Sequence, residues 1–154
     1  MNRSTGVLLA AACWAGCRPA KTPFTPVTDV KLLMQTVIDP AGDRIWDAVG
    51  SVTDSSGTVE FAPTTTEEWD EVRSSAYIVA ESGNLLMMEG RARDQGEWMT
   101  LSRALTEAGR QVAIAAAKHD KDAVFDAGGA VYEACSKCHA AYLIPALTPS
   151  NKPK

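Results

Sequence analysis

Apolar and small residues recur at alternating spacings of three and four in several stretches of the chain. They occupy positions 69, 72, 76, 79, 83 and 86 in one stretch, 98, 101, 105, 108, 112 and 115 in the next, and 124, 127, 131, 134 and 138 in another. This spacing is typical of the seam between helices that pack at shallow angles. Together with an earlier helical pattern, these stretches predict an all-α chain folded as an antiparallel four-helix bundle.

The first helical pattern differs from the others because a proline interrupts it. The pattern starts near Thr28 and ends near Gly50, with Asp39-Pro40 in its middle. Proline suits the first turn of a helix and aspartate suits the cap, so the helix is predicted either to kink at Pro40 or to restart there. Residues 51–66 are polar and rich in turn-forming residues, so we expect a crossover loop there and no strand.

The other three helices carry start signals. The second helix is predicted to begin at Thr64 to Thr66, because the acidic residues that follow suit the positive end of a helix. The third is predicted to begin after Asp94 and the fourth near Asp120. The last helix also contains Gly128-Gly129, where either a neighbouring backbone or a flat ligand could approach closely.

Composition and charge restrict the class of protein. The chain has 154 residues, which fits one domain with processing segments. Hydrophobic residues make up 45% of it and charged residues 22%, so it can form a packed core. The formal net charge is −4 and there is no basic run, so nucleic acid is not an expected partner.

The first residues have the features of an export signal. Asn2-Arg3 gives a short positive region, and positions 7–12 form an apolar run too short to span a bilayer. Small residues then lead to Cys17 in an arrangement similar to the lipobox of bacterial lipoproteins. Residues 1–17 are thus predicted to be a signal peptide of either the lipoprotein or the ordinary type, and the expected location is the periplasm, either free or tethered through a lipidated Cys17.

The rest of the chain divides into three predicted parts. Residues 18–26 are rich in proline and have no apolar period, so they are predicted to form a tether. Residues 27–147 are expected to form the helical bundle, and residues 148–154 a flexible tail.

Two thiols and an imidazole stand together near the end of the last helical pattern, in Cys135-Ser-Lys-Cys138-His139. A disulfide between these cysteines would close a very short loop and add little stability. The pattern C-x-x-C-H is that of c-type haem attachment, in which two vinyl groups of haem form thioethers with the two thiols. Because residues three and four apart share a helix face, both thiols can reach the porphyrin edge while His139 lies under the iron. Tyr142 continues this face and is expected to wall the haem.

Two other functions of the motif explain the pattern less well. Thioredoxin-like C-x-x-C motifs open a helix after a strand, whereas this one lies at the end of a helical pattern. A zinc site needs four ligands, and the count would require His119 in addition to the motif. Adjacent Cys138 and His139 would strain to reach one metal ion, and there is no second C-x-x-C pair.

The position of the motif resembles that in class II cytochromes c, of the cytochrome c′ and cytochrome c-556 type. The resemblance covers about residues 27–147 and depends on CSKCHAAY lying near the C-terminus of a four-helix pattern. It implies one haem c per chain, bound to the last helix through Cys135 and Cys138, with His139 as the proximal iron ligand. It also implies an electron-transfer protein rather than an enzyme, acting with redox partner proteins as a monomer or a homodimer.

The resemblance makes the sixth iron position decisive for function. In the family, methionine from the first helix gives six-coordinate iron and an electron carrier, whereas a bulky non-ligand gives five-coordinate iron that binds NO or CO. Met34 lies on the first apolar stripe, about where the family places this residue. Its alternative role is that of a core methionine filling a gap. Tyr142 is followed by Leu143, where many gas-binding members have a basic residue, so electron transfer with Met34 as ligand is the favoured interpretation.

Overall fold

The computed structural model describes residues 23–144 of the chain. The predicted signal peptide with Cys17, most of the predicted tether and the predicted tail at residues 148–154 lie outside the described residues. None of the helices between residues 23 and 144 combines the length and apolar character that crossing a bilayer requires.

The described chain is mostly helical, with one small antiparallel sheet. Two short segments have the wider turns of a π-helix and continue directly from α-helices. The elements in chain order are α1 (Val30–Leu33), the first π segment (Met34–Ile38), α2 (Asp39–Trp46), β1 (Gly50–Asp54), β2 (Gly57–Phe61), α3 (Thr66–Leu86), α4 (Glu97–Ala116), α5 (Lys121–Cys138) and the second π segment (His139–Leu143).

The first helical region passes through Pro40 without a break. Pro40 lacks a backbone N–H and cannot donate to the preceding turn, so regular α-helical bonding is interrupted there. The backbone N–H of Asp39 donates instead to the carbonyl of Met34, five residues earlier. The predicted kink or restart is therefore a π-helical segment immediately before the proline, and this segment begins at Met34.

The three long helices start where the sequence predicts, and side-chain caps fix the starts of α3 and α5. At α3, the Thr65 hydroxyl accepts from the Glu68 N–H, and the Glu68 carboxylate accepts from the Thr65 N–H. At α4 the N-cap is Gly96, and Asp94 Oδ1 accepts from the backbone N–H of Gly96 at 2.8 Å and from that of Trp98, in the first turn, at 3.1 Å. At α5, Asp120 caps the helix by accepting from the N–H of Ala123 at 3.0 Å.

The prediction that residues 51–66 form a loop without strands is wrong for its first part. β1 and β2 form a hairpin in which Asp54 pairs with Gly57 across a two-residue turn, and Gly57 has a φ of 135°. The Asp54 carboxylate accepts from the backbone N–H of Ser56 at 2.7 Å and stabilises the turn. The fold is therefore not all-α, but mostly helical with a two-stranded sheet.

The helices enclose one apolar core. α3 packs along α4, α4 packs along α5, and α2 contacts both α3 and α5. Alanine, valine and leucine side chains on the predicted stripes fill the interior. The largest apolar side chains that are fully buried are Ile45, Val79, Leu86, Val112, Val124 and Val131.

Candidate functional site

The residues of the CSKCH motif border a cavity of about 360 Å³ between the helices. This volume falls within the range of small-molecule and cofactor sites, and most of the wall is apolar. Side chains from four parts of the fold line it: Met34, Ile38, Asp39 and Trp46 from the first helical region; Leu86 from α3; Leu101, Ser102 and Leu105 from α4; and Tyr132, Ala134, Cys135, Ser136, Cys138 and His139 from the C-terminal region.

The two thiols of the motif lie in the last turn of α5, half-buried and without a disulfide between them. Burial raises the pKa of Cys135 to about 11, with smaller contributions from Cys138 and Asp39. Burial also raises the pKa of Cys138, with a contribution from Glu97. Both groups are therefore protonated thiols at neutral pH, unlike the reactive cysteine of a redox C-x-x-C motif, whose pKa is lowered.

His139 begins the second π segment and is half-buried beside the same cavity. Its backbone N–H donates to the carbonyls of Cys135 and Ser136, so the chain continues from α5 without a break. Within residues 23–144, its imidazole makes no hydrogen bond, salt bridge or ring contact with another side chain. The imidazole is therefore available to a group inside the cavity.

Met34 lines the same cavity from a different element, at the first residue of the first π segment. It is half-buried and packs against the core. The fold thus brings the Met34 thioether to the same cavity as Cys135, Cys138 and His139, although about 100 residues separate them in sequence. The other described methionines do not line this cavity; the Met88 sulfur, for example, accepts a hydrogen bond from Arg91.

Tyr142 is placed beside the cavity rather than in its wall. Its ring packs edge-on against Trp98, with 4.9 Å between ring centres. Its hydroxyl donates to Asp94, and this hydrogen bond raises the pKa of Tyr142 to about 12 and lowers the pKa of Asp94. This hydrogen bond connects the second π segment to the residues just before α4. The expected role of Tyr142 in the wall of a haem pocket stays a prediction.

His119, which the zinc hypothesis required, is engaged elsewhere. It occupies the turn between α4 and α5 with a φ of 54° and stacks on Trp69, with ring centres 5.2 Å apart. Between residues 23 and 144, no three His, Cys, Asp or Glu side chains are grouped as a metal-binding cluster. The arrangement of the described side chains therefore gives the zinc hypothesis no support.

Trp46 is a wall residue that sequence analysis did not identify. Its indole N–H donates to the carbonyl of Gly128 at 2.9 Å, and its ring lies edge-on to Tyr132 at 6.1 Å. A Cβ atom on Gly128 would lie at ordinary contact distance from Ile45, at 3.5 Å, and from the Trp46 ring, at 3.6 Å, so this glycine faces side chains of α2 rather than a backbone. The position of Trp46 at the end of the first apolar pattern was the available signal, but its partner on α5 depends on tertiary packing.

Comparison of the chain with protein-family models, with curated proteins and with solved structures found no match. The function must therefore be inferred from the side chains themselves. They provide two neutral thiols, an available imidazole and a thioether around one apolar cavity.

Proposed function

We propose that the chain is an exported monohaem c-type cytochrome that transfers electrons, with its helices arranged as the antiparallel four-helix bundle of class II cytochromes c. One observation carries this proposal: the motif thiols, the motif imidazole and the Met34 thioether border the same cavity. A C-x-x-C-H motif alone supports haem attachment. The presence of a second candidate iron ligand, Met34, on the same cavity supports electron transfer as the function.

The residues around the cavity fit a haem group. Leucine and isoleucine side chains of α3, α4 and the first π segment provide an apolar wall for a flat ring. Cys135 and Cys138 form no disulfide, and thioether formation requires such reduced thiols. Each thiol would add across a vinyl group, with its sulfur bonding to one carbon and its hydrogen to the other, so that attachment consumes no oxidant.

His139 and Met34 are the side chains that would hold the iron. Bound haem supplies a one-electron change between ferric and ferrous iron, which is the chemistry that an electron carrier needs. Imidazole is a common iron ligand in haem proteins, and a thioether as the second protein ligand would favour the ferrous state and raise the reduction potential. The apolar side chains around these ligands restrict water and tune the potential further.

The proposed function includes an exported location and protein partners. Covalent haem attachment in bacteria takes place outside the cytoplasm, which agrees with the export signal predicted for residues 1–17. The chain would act in the periplasm, either free or tethered through Cys17, and exchange electrons with other redox proteins. No substrate chemistry is assigned to it.

Intact-mass measurement of protein exported from cells with haem-attachment machinery tests the proposal. We expect a mass increase of one haem that survives denaturation in the unmodified chain. Cys135→Ser and Cys138→Ser should each weaken retention, and the double variant should lose covalent haem completely. Ser136→Ala is the matched control because Ser136 lines the same cavity without a thiol, and it should retain the haem. An unmodified chain without covalent haem would overturn the proposal.

A further inference from the structure

Trp46 and Tyr132 separate the cavity beside CSKCH from a groove of about 230 Å³ on the protein surface. Both side chains line the cavity on one side and the groove on the other. Their rings meet edge to face at 6.1 Å, and the hydrogen bond from Trp46 to Gly128 fixes the indole in place. The groove is lined by Ile45, Trp46, Val49, Val124, Phe125, Gly128, Gly129 and Tyr132.

The groove is apolar and its aromatic edges are exposed. Phe125 is 62% exposed and Tyr132 is 64% exposed, and they lie on opposite sides of Gly129 along α5. A Cβ atom on Gly129 would meet nothing within 4 Å, so the centre of this face is open. Exposed apolar side chains next to a groove indicate an interaction surface rather than a requirement of the fold.

Exposed acidic residues lie close in sequence to the residues of this apolar face. Asp122 and Asp126 are exposed next to Phe125 on α5, and Asp43 is exposed one turn before Trp46 on α2. In the part of the chain that the structure describes, none of these three aspartates forms a salt bridge. The neighbouring cation Lys121 is already paired with Glu60. Arg44, exposed beside Asp43, sets one positive charge against these three carboxylates, so the charged residues near the groove carry a net negative charge.

We propose that this groove is the docking surface for a basic redox partner protein. The partner would place an apolar side chain in the groove and lysine or arginine side chains against the nearby carboxylates. One electron would then pass between the haem and the partner's metal or flavin centre past Trp46 and Tyr132, so that one centre is oxidised as the other is reduced. This inference rests on the proposed haem function and specifies the chemistry of the partner.

Charge decides between a basic partner and a second copy of the chain. Two copies meeting through this face would bring their acidic residues together, and like charges opposed across an interface are unfavourable. A basic partner would instead be attracted to the face, which increases the association rate at low salt. A small apolar groove with charged residues near it also suits the limited contact area of transient electron-transfer complexes.

Stopped-flow oxidation of the reduced haem protein tests the surface. The probe is tris(1,10-phenanthroline)cobalt(III), because it combines positive charge with apolar aromatic ligands, and hexacyanoferrate(III) is the anionic comparison. Gly129→Trp fills the groove at a position with free space, whereas Ala130→Trp places the same side chain on the next exposed residue of α5. We expect Gly129→Trp to slow oxidation by the cobalt cation about tenfold, with Ala130→Trp and the hexacyanoferrate(III) rates almost unchanged.

A second variant tests the charges without filling the groove. Asp122→Asn combined with Asp126→Asn should slow oxidation by the cobalt cation several-fold at low salt, and the difference should disappear near 0.5 M salt, roughly the range in which screening suppresses surface charges. Oxidised class I cytochrome c of basic charge is the protein probe, and its rate constants should follow the same order among the variants.

The outcomes separate this inference from the function on which it rests. Equal cobalt rates for Gly129→Trp and Ala130→Trp in haem-loaded protein would overturn the docking surface and leave the electron carrier intact. Sedimentation showing a dimer that Gly129→Trp dissociates would assign the groove to a second copy and also overturn the inference. Absence of covalent haem in the unmodified chain would contradict the proposed function itself.

Discussion

The contact between α3 and α4 and the contact between α2 and α5 use glycine in opposite ways. At the first contact, a Cβ atom on Gly109 would lie 2.7 Å from the backbone nitrogen of Ala80, so the two helix backbones nearly touch. At the second contact, a Cβ atom on Gly128 would meet the side chains of Ile45 and Trp46 at ordinary contact distances of 3.5 and 3.6 Å, and Gly129 faces open space. The helices pack closely where α3 meets α4, and we call this the closed contact. A groove remains where α2 meets α5, near CSKCH, and we call this the open contact.

The difference shows why glycine on a helix is an ambiguous signal. In the closed contact, the missing side chain permits close packing and its benefit is stability. In the open contact, the missing side chain leaves a groove beside the candidate cofactor cavity, at a cost in helix propensity. Adding a side chain in the closed contact should therefore lower the free energy of unfolding, whereas Gly129→Ala in the open contact should raise it. These opposite signs provide a direct way to test the comparison.

The largest effect is expected from Gly109→Leu in the closed contact. The added side chain must displace the backbone of α3, and we expect it to lower the free energy of unfolding by about 3 kcal/mol. Gly129→Leu is the matched control, and it should change the free energy of unfolding by less than about 1 kcal/mol because it enters open space. Urea unfolding followed by circular dichroism measures both. Equal costs at the two positions would contradict the comparison.

A smaller effect is expected from Trp46→Phe in the open contact. The change removes the hydrogen bond that the indole N–H donates to the carbonyl of Gly128. We expect it to lower the free energy of unfolding by about 1 kcal/mol. Tyr132→Phe removes a hydroxyl from an exposed ring on the same groove and should have almost no effect. If the urea unfolding midpoints of Trp46→Phe and Tyr132→Phe shift by the same amount, the hydrogen bond of Trp46 contributes little to the free energy of unfolding.

A gain in stability is expected from Gly129→Ala. Alanine favours helix over glycine by about 0.5–1 kcal/mol, and the position has room for a methyl group. Gly83→Ala, the same substitution in the closed contact, should be destabilising because its Cβ would lie 2.5 Å from the backbone oxygen of Ser102. Thermal unfolding of both variants checks the prediction, and a stabilising Gly83→Ala would contradict it.

The smallest effect concerns the pH dependence of the hydrogen bond between Tyr142 and Asp94, which joins the second π segment to the residues before α4. This hydrogen bond lowers the pKa of Asp94 in the folded protein. The contribution of the bond to stability is therefore present above the ordinary aspartate pKa and is lost as the pH falls through the lowered pKa of Asp94. The bond also raises the pKa of Tyr142 to about 12, so the contribution is fully present below the ordinary tyrosine pKa and is lost as pH rises through about 12.

Tyr142→Phe should remove both the acidic and the alkaline pH dependence of stability that this hydrogen bond causes. We expect the difference in unfolding free energy between the unmodified chain and the variant to be constant from about pH 5 to 9 and to decrease on either side. Tyr77→Phe is the control, because this tyrosine is exposed on α3, and a NMR titration of Asp94 gives an independent check. An unchanged Asp94 pKa in Tyr142→Phe would exclude the hydrogen bond as its cause.

Sequence patterns predicted the long helices because their signals are local. The stripes at alternating spacing and the caps at Thr65 and Asp120 depend on residues within one or two turns. The hairpin was missed because nearly all its side chains are exposed on both faces, so Val52 and Val59 are not part of an alternating buried pattern. Its turn residues instead resembled those of a loop.

The candidate site was predictable only in part. CSKCH is a local motif, and Met34 was indicated by the resemblance to class II cytochromes c. The walls contributed by Trp46 and by Leu101 and Leu105 of α4 depend on how distant helices pack, which no local pattern specifies. The π segment at Met34 follows from Pro40, but a proline signals only that helical bonding changes, not which form replaces it.

The most direct test of the account is the optical spectrum of the haem-loaded protein, oxidised and reduced, with and without CO. His139 and Met34 as axial ligands predict a six-coordinate, low-spin spectrum that CO leaves unchanged, and Met34→Leu should become high-spin and bind CO. A high-spin spectrum of the unmodified chain that shifts with CO would contradict the account. Met34 would then be a core residue, and gas binding would replace electron transfer as the function.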